Sequence, residues 1–145
     1  MPTVHGGKTA EARAKQSAAS RRATFEQLSS KKRAEQELTL NVQNGSGEPE
    51  EVTMLFRAIG TRSYDKLLGK HPPKPEQKVE GASYNIDTFG PAIIAACAVE
   101  PELTEAEAKQ LWDSDDWSRG EIMTLFRVAV EVCNKGLDIP FTDNG

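Results

Sequence analysis

The sequence predicts an α+β fold, mainly α: an N-terminal helix, one antiparallel β-hairpin, then a compact bundle of about four helices. Three observations predict it. Apolar and polar residues alternate from Leu38 to Val42, the period-two pattern of a half-buried strand. A cluster of Asn, Gly, Ser and Pro at 44–50 separates that run from EVTMLFRAI, as in a hairpin. Further on, Thr104 with Glu107 and Ser118 with Glu121 each form a Ser/Thr-x-x-Glu capping box ahead of an apolar helical pattern. At 145 residues the chain has room for one core plus a tail. The boundaries expected are a basic Ala-rich arm over 1–36, partly helical or disordered, a single domain over 37–138, and a flexible C-terminal tail over 139–145.

The arm has helix propensity from about Thr9 onward, with Phe25 and Leu28 as its only large apolar anchors. Its second half is expected to dock through that pair. A strand starts at Glu37, and the return strand follows the turn at Gly45 and Gly47. Thr61 is expected to cap a short helix RSYDKLLG that Gly69 ends in a left-handed conformation. The run HPPKPEQKVEGAS is polar, Pro-rich and without periodicity, so it reads as an extended surface loop. Asp87 is placed as the cap of a central core helix with Pro91 in its first turn and Phe89, Ile93, Ile94, Ala96 and Cys97 along it. Pro101 ends that helix. Leu103 beside Ala108, and Trp117 beside Ile122, occupy the staple positions of the two capping boxes. The last helix carries Ile122, Leu125, Phe126, Ala129, Val132 and Cys133 at helical spacing, and Met123, Val128 and Val130 widen its apolar stripe beyond one core face. Such a helix is either sandwiched in the core or offers a second face to a partner.

Residues 1–36 hold eight Lys or Arg and three Glu, net +5, so with −4 on the whole chain the remainder carries −9. A basic arm on an acidic body suits nucleic acid or simple solvation, and the absence of aromatics among the basic residues before Phe25 favours solvation. No run approaches the roughly 20 apolar residues that span a bilayer, and the N-terminus lacks the apolar block of a secretory signal. A soluble, intracellular protein without membrane association is expected. Cys97 and Cys133 sit in apolar helical runs, where a reduced thiol behaves as a small hydrophobe; a disulfide or a metal site ranks below that reading.

An active site needs a nucleophile with a base, paired carboxylates in a pocket, a metal cluster or a cofactor loop. His5 and His71 have no visible partner, and Asp113, Asp115 and Asp116 lack the glycine and terminal glutamate of an EF-hand loop. The expectation is no enzyme, no catalytic residue, no cofactor and no metal.

Two segments carry a resemblance. FRAIGTRSYDKLLGKHPP (56–73) and YNIDTFGPAIIAACAVEPELTEAEAKQLWDSDDWSRGEIMTLFRVAVEVCN (84–134) together resemble the tail assembly chaperones of long-tailed, siphovirus-like phages, particularly those infecting actinobacteria. The likeness lies in an aromatic-and-proline run before a core helix ending in EP, a Leu-Thr helix start, and a WDS..WS..E junction into the final helix. It implies a protein that binds the tape measure protein in the host bacterial cytoplasm and keeps it soluble while tail tube protein subunits polymerise around it. It also implies absence from the mature virion. The wide apolar stripe permits a homo-oligomer as well. The alternative reading is a virion structural or nucleic-acid-associated protein that uses the basic arm.

For a client-binding protein the expected contact surface is the last two helices and their junction, with Leu111, Trp112, Trp117, Ile122 and Phe126 as partner-binding candidates. Tryptophan is enriched at binding hot spots. The competing reading makes both tryptophans core and staple residues.

Overall fold

A computed structural model describes residues 21–137. The chain divides into two compact units, Met1–Lys32 and Arg33–Gly145. In the first, the described helix is α1 (Phe25–Ser29), opened by a capping box between Thr24 and Gln27. The expected helix over residues 9–20 lies outside the described residues. Phe25 and Leu28, expected to dock, are 81% and 64% exposed.

The second unit begins with β1 (Glu35–Gln43) and β2 (Pro49–Arg57), which pair antiparallel from Glu35 against Arg57 to Gln43 against Pro49. The strand starts two residues earlier than the alternation indicates. Glu35 and Gln36 are polar and give no periodic signal, but the Arg57 guanidinium meets the Glu35 carboxylate at 2.8 Å and holds that end in register. At the turn, Asn44 Oδ1 accepts from the Ser46 and Glu48 amides, and Gly47 takes a φ of 81°, a left-handed value that glycine adopts without steric cost.

Five helices follow: α2 (Thr61–Gly69), α3 (Pro75–Val79), α4 (Ile86–Cys97), α5 (Glu105–Trp112) and α6 (Arg119–Asn134). Several boundaries differ from expectation. Thr61 is the first helical residue of α2 and Gly60 its extended cap, with no capping side chain. Gly69 is helical, and the helix closes on Lys70 in a right-handed conformation. The proline-rich segment is not wholly extended, because Pro75 sits at the first helical position, where its missing N–H costs nothing.

That segment is tied to the core at Gln77 and at His71, whose carbonyl accepts from the Asn85 amide and whose ring meets Phe89. Gln77 Oε1 accepts from the Lys74 amide, while its Nε2 donates to Asn85 Oδ1 at 3.2 Å. Asn85 is a buried polar residue, and the same Oδ1 accepts from the Asp87 amide at 3.0 Å. Asn85, and not Asp87, is therefore the cap of α4. The helix starts earlier than expected, which puts Pro91 in the helix interior and not in its first turn.

Gly90 makes this arrangement possible in two ways. The residue before a proline normally avoids helical conformation because its Cβ crowds the proline ring, and Gly90 has no Cβ. A Cβ there would also lie inside the Trp112 indole, closer than any real Cβ contact. Gly90→Ala is therefore expected to cost about 2 kcal/mol by overpacking, measured by urea denaturation. The cost should shrink in the background of Trp112→Leu, since the two positions share one space; strict additivity would refute the contact.

A short third strand, β3 (Ala98–Glu100), follows α4 directly and pairs antiparallel with β2, giving the sheet order β1-β2-β3. Sequence patterning does not reveal it, since three residues carry no alternation. Both later capping boxes form as expected. Thr104 Oγ1 accepts from the Glu107 amide and Ser118 Oγ from the Glu121 amide, with the glutamate side chains returning the bond.

One face of the sheet packs on α6, which packs in turn on α4. Met54 and Phe56 of β2 join Phe89, Ile93, Ile94, Cys97, Ala98, Ala108, Ile122, Leu125, Ala129 and Val132 in the core. The result is mixed α+β, mainly α.

Candidate functional site

The interior explains most of the aromatic residues. Phe89 is fully buried and its ring meets Tyr84 at 4.9 Å, Tyr64 at 6.0 Å and Phe126 at 6.2 Å. Phe126 in turn meets Trp112 edge-on at 6.2 Å. Such edge-to-face contacts add to the burial of each ring. Of the five residues expected to contact a partner, Ile122 is buried, and Leu111, Trp112 and Phe126 are partly buried against the core. Trp117 is partly buried against the core as well, and in addition lines a groove.

That groove, of about 880 Å³, runs between β1 and the start of α6. Its lining includes Leu38, Leu40 and Val42 from β1, Trp117 from the junction before α6, and the carboxylates of Asp116 and Glu121. Leu38 and Leu40 pack partly on the core, whereas Val42, and Val52 opposite Leu40 on β2, reach past it. The hairpin is longer than the helices behind it, so the apolar face of its outer half stays half-covered. Among the described residues no Lys, Arg or His lines the groove. Glu121 Oε1 accepts from the Ser118 amide; its other oxygen and the Asp116 carboxylate make the groove acidic.

The third side of the groove is the strand's backbone. The Ala58 amide donates to the Ala34 carbonyl at one end of the hairpin and the Asn44 amide to the Glu48 carbonyl at the other. Bonded pairs alternate along an antiparallel ladder, so even-numbered residues of β1 bond to β2. The N–H and C=O groups of Thr39, Asn41 and Gln43 point the opposite way, to the outer edge. Among the described residues no segment pairs with that edge. The lining runs through six consecutive residues, Leu38 to Gln43, and so takes in both the even positions, whose side chains turn toward the core side, and the odd positions, whose backbone groups turn to the edge. The alternation in the sequence gives the first set; the hairpin register, which no local pattern states, gives the second.

The remaining reactive groups lie elsewhere. Cys97 and Cys133 are free thiols with sulfurs 3.4 Å apart, a proximity that their spacing in the chain does not reveal. Cys97 is fully buried and keeps its proton, which it shares with Cys133; that bond, then burial, then repulsion from a Cys133 thiolate raise its pKa. The same hydrogen bond lowers Cys133 to about 7, against burial and with help from the Ile59 backbone. The thiolate is the reactive form, so alkylation of Cys133 by iodoacetamide should rise through a midpoint near pH 7. Removing the donor with Cys97→Ala should move that midpoint upward; an unchanged midpoint would show that the hydrogen bond does not set it.

Asp113 pairs with Lys109 at 2.8 Å. Among the described residues no three His, Cys, Asp or Glu side chains are placed to hold a metal ion, and no helix is long and apolar enough to cross a membrane. Compared with known proteins, the chain matches no family model, no curated protein and no solved structure.

Proposed function

We propose that this protein is a phage tail assembly chaperone that holds the tape measure protein in the host cytoplasm and keeps it soluble until the tail tube forms around it. The observation that carries the reading is the half-covered groove at Trp117, whose lining joins apolar β1 residues with Asp116 and Glu121. A half-covered apolar face beside polar groups is characteristic of a protein-binding site. The resemblance of residues 56–73 and 84–134 to tail assembly chaperones supplies the identity of the client. The acidic groove also favours a protein over a nucleic acid as partner of this unit, because carboxylates repel phosphate.

Co-expression with the tape measure protein of the same phage tests the proposal. Soluble tape measure protein should be recovered when this chain is present and should precipitate when it is absent. Equal recovery in both cultures would overturn the reading.

A further inference from the structure

The groove combines two features with a shared geometric consequence: apolar side chains on one face of β1, and a row of outward backbone donors and acceptors along its edge. We infer that this edge takes an extended, cationic segment of a client protein as a fourth strand of the sheet. The biological setting of this inference rests on the chaperone reading; its geometry rests on the hairpin register.

An open strand edge is a template for pairing with another chain. Thr39, Asn41 and Gln43 present their amides and carbonyls to it, at the spacing another strand would match. A helix laid in the groove would meet Leu38, Leu40, Val42 and Trp117 but would leave those backbone groups to water. An extended segment satisfies them and places alternate side chains toward Trp117. Charge decides the segment's composition. Among the described residues the charged side chains lining the groove are those of Asp116 and Glu121, and β1 itself carries no Lys or Arg, its Glu37 standing beside a Glu35 that is paired with Arg57. A second copy of β1 carries no Lys or Arg to meet Asp116 and Glu121. A strand bearing lysine or arginine on its groove-facing positions meets the opposite charge.

The test titrates the full chain with a capped nonapeptide, matched to the nine residues of β1, in which threonine alternates with lysine, valine, valine and lysine. Saturable binding is expected, with the Thr39, Asn41 and Gln43 amides slowed in hydrogen exchange by about tenfold or more on binding, while the Leu38, Leu40 and Val42 amides, already in the ladder, change little. N-methylation of the peptide amides that face β1 should weaken binding about tenfold or more, since each lost bond counts separately. Asn41→Pro should do the same from the other side, because its N–H lies outside the β1–β2 ladder and proline is tolerated there. Exchanging both peptide lysines for glutamate should abolish binding.

The inference is overturned if the N-methylated peptide binds as well as the parent, if the glutamate peptide binds equally, or if the three amides exchange as in the free protein. It is also overturned if they are already protected in a peptide-free dimer. Should Asn41→Pro fail to fold, the modified peptides on the unaltered chain still decide. Co-expression separates the two levels of the argument. Tape measure protein kept soluble equally by the unaltered chain and by a folded Asn41→Pro variant removes strand addition and leaves the chaperone reading standing. If the unaltered chain rescues nothing, the chaperone reading falls and the peptide titration alone judges the edge.

Discussion

Phe89→Ala is expected to destabilise the domain by about 4 kcal/mol, the cost of deleting a large ring from a packed core that relaxes only in part. Phe89 is fully buried and is the one ring that touches Tyr64, His71, Tyr84 and Phe126 together. Its loss removes the ring packed between α2, the segment before α4 and α6, which then keep the Tyr84–Phe126 contact and the Asn134–Tyr64 hydrogen bond. The thermal midpoint should fall by roughly 20 °C for a domain of this size, followed by circular dichroism. Since folded domains hold only about 5–15 kcal/mol in reserve, the variant should be close to unfolded at growth temperature. A fall of only a few degrees would mean that the aromatic cluster is not the keystone described.

Trp117→Ala is expected to have the opposite profile. Trp117 is only partly buried and lines the groove, so truncation should leave the domain folded, with a stability loss of about 1 kcal/mol as for a side chain at the margin of a core. Its effect should appear in client binding. An aromatic anchor in a binding groove contributes about 3 kcal/mol, roughly 150-fold in affinity, so under the proposed chaperone function soluble recovery of co-expressed tape measure protein should drop toward the level seen without this chain. Trp112 provides the contrast: it fills the space opposite Gly90, so its truncation should act on stability first. If Trp117→Ala is as unstable as Phe89→Ala, or if client recovery is unaffected, Trp117 is not a binding residue.

These two residues mark how far the sequence could be read. Both tryptophans follow the same kind of local pattern, each beside a helix end, and both pack partly on the core, but local pattern does not state which one fills a gap left by another helix. That was settled by Gly90, twenty-two positions before Trp112 in the chain, whose missing side chain opens a space for one indole. The third strand, the Gln77–Asn85 tie and the thiol pair were illegible for the same reason, since each depends on partners brought together by packing and not by spacing.

What the sequence determined by itself was whatever is decided within a few residues. The two capping boxes, the hairpin turn at Gly47, the alternation of Leu38, Leu40 and Val42, and the mixed, mainly helical class all follow from local hydrogen bonding and from period. The tertiary structure alone decided where those elements leave surface over. The hairpin outruns the helices packed behind it, and its register turns the amides of Thr39, Asn41 and Gln43 outward beside Trp117 and two carboxylates. A groove is the space between elements distant in sequence, and its shape depends on lengths and registers that no single segment encodes.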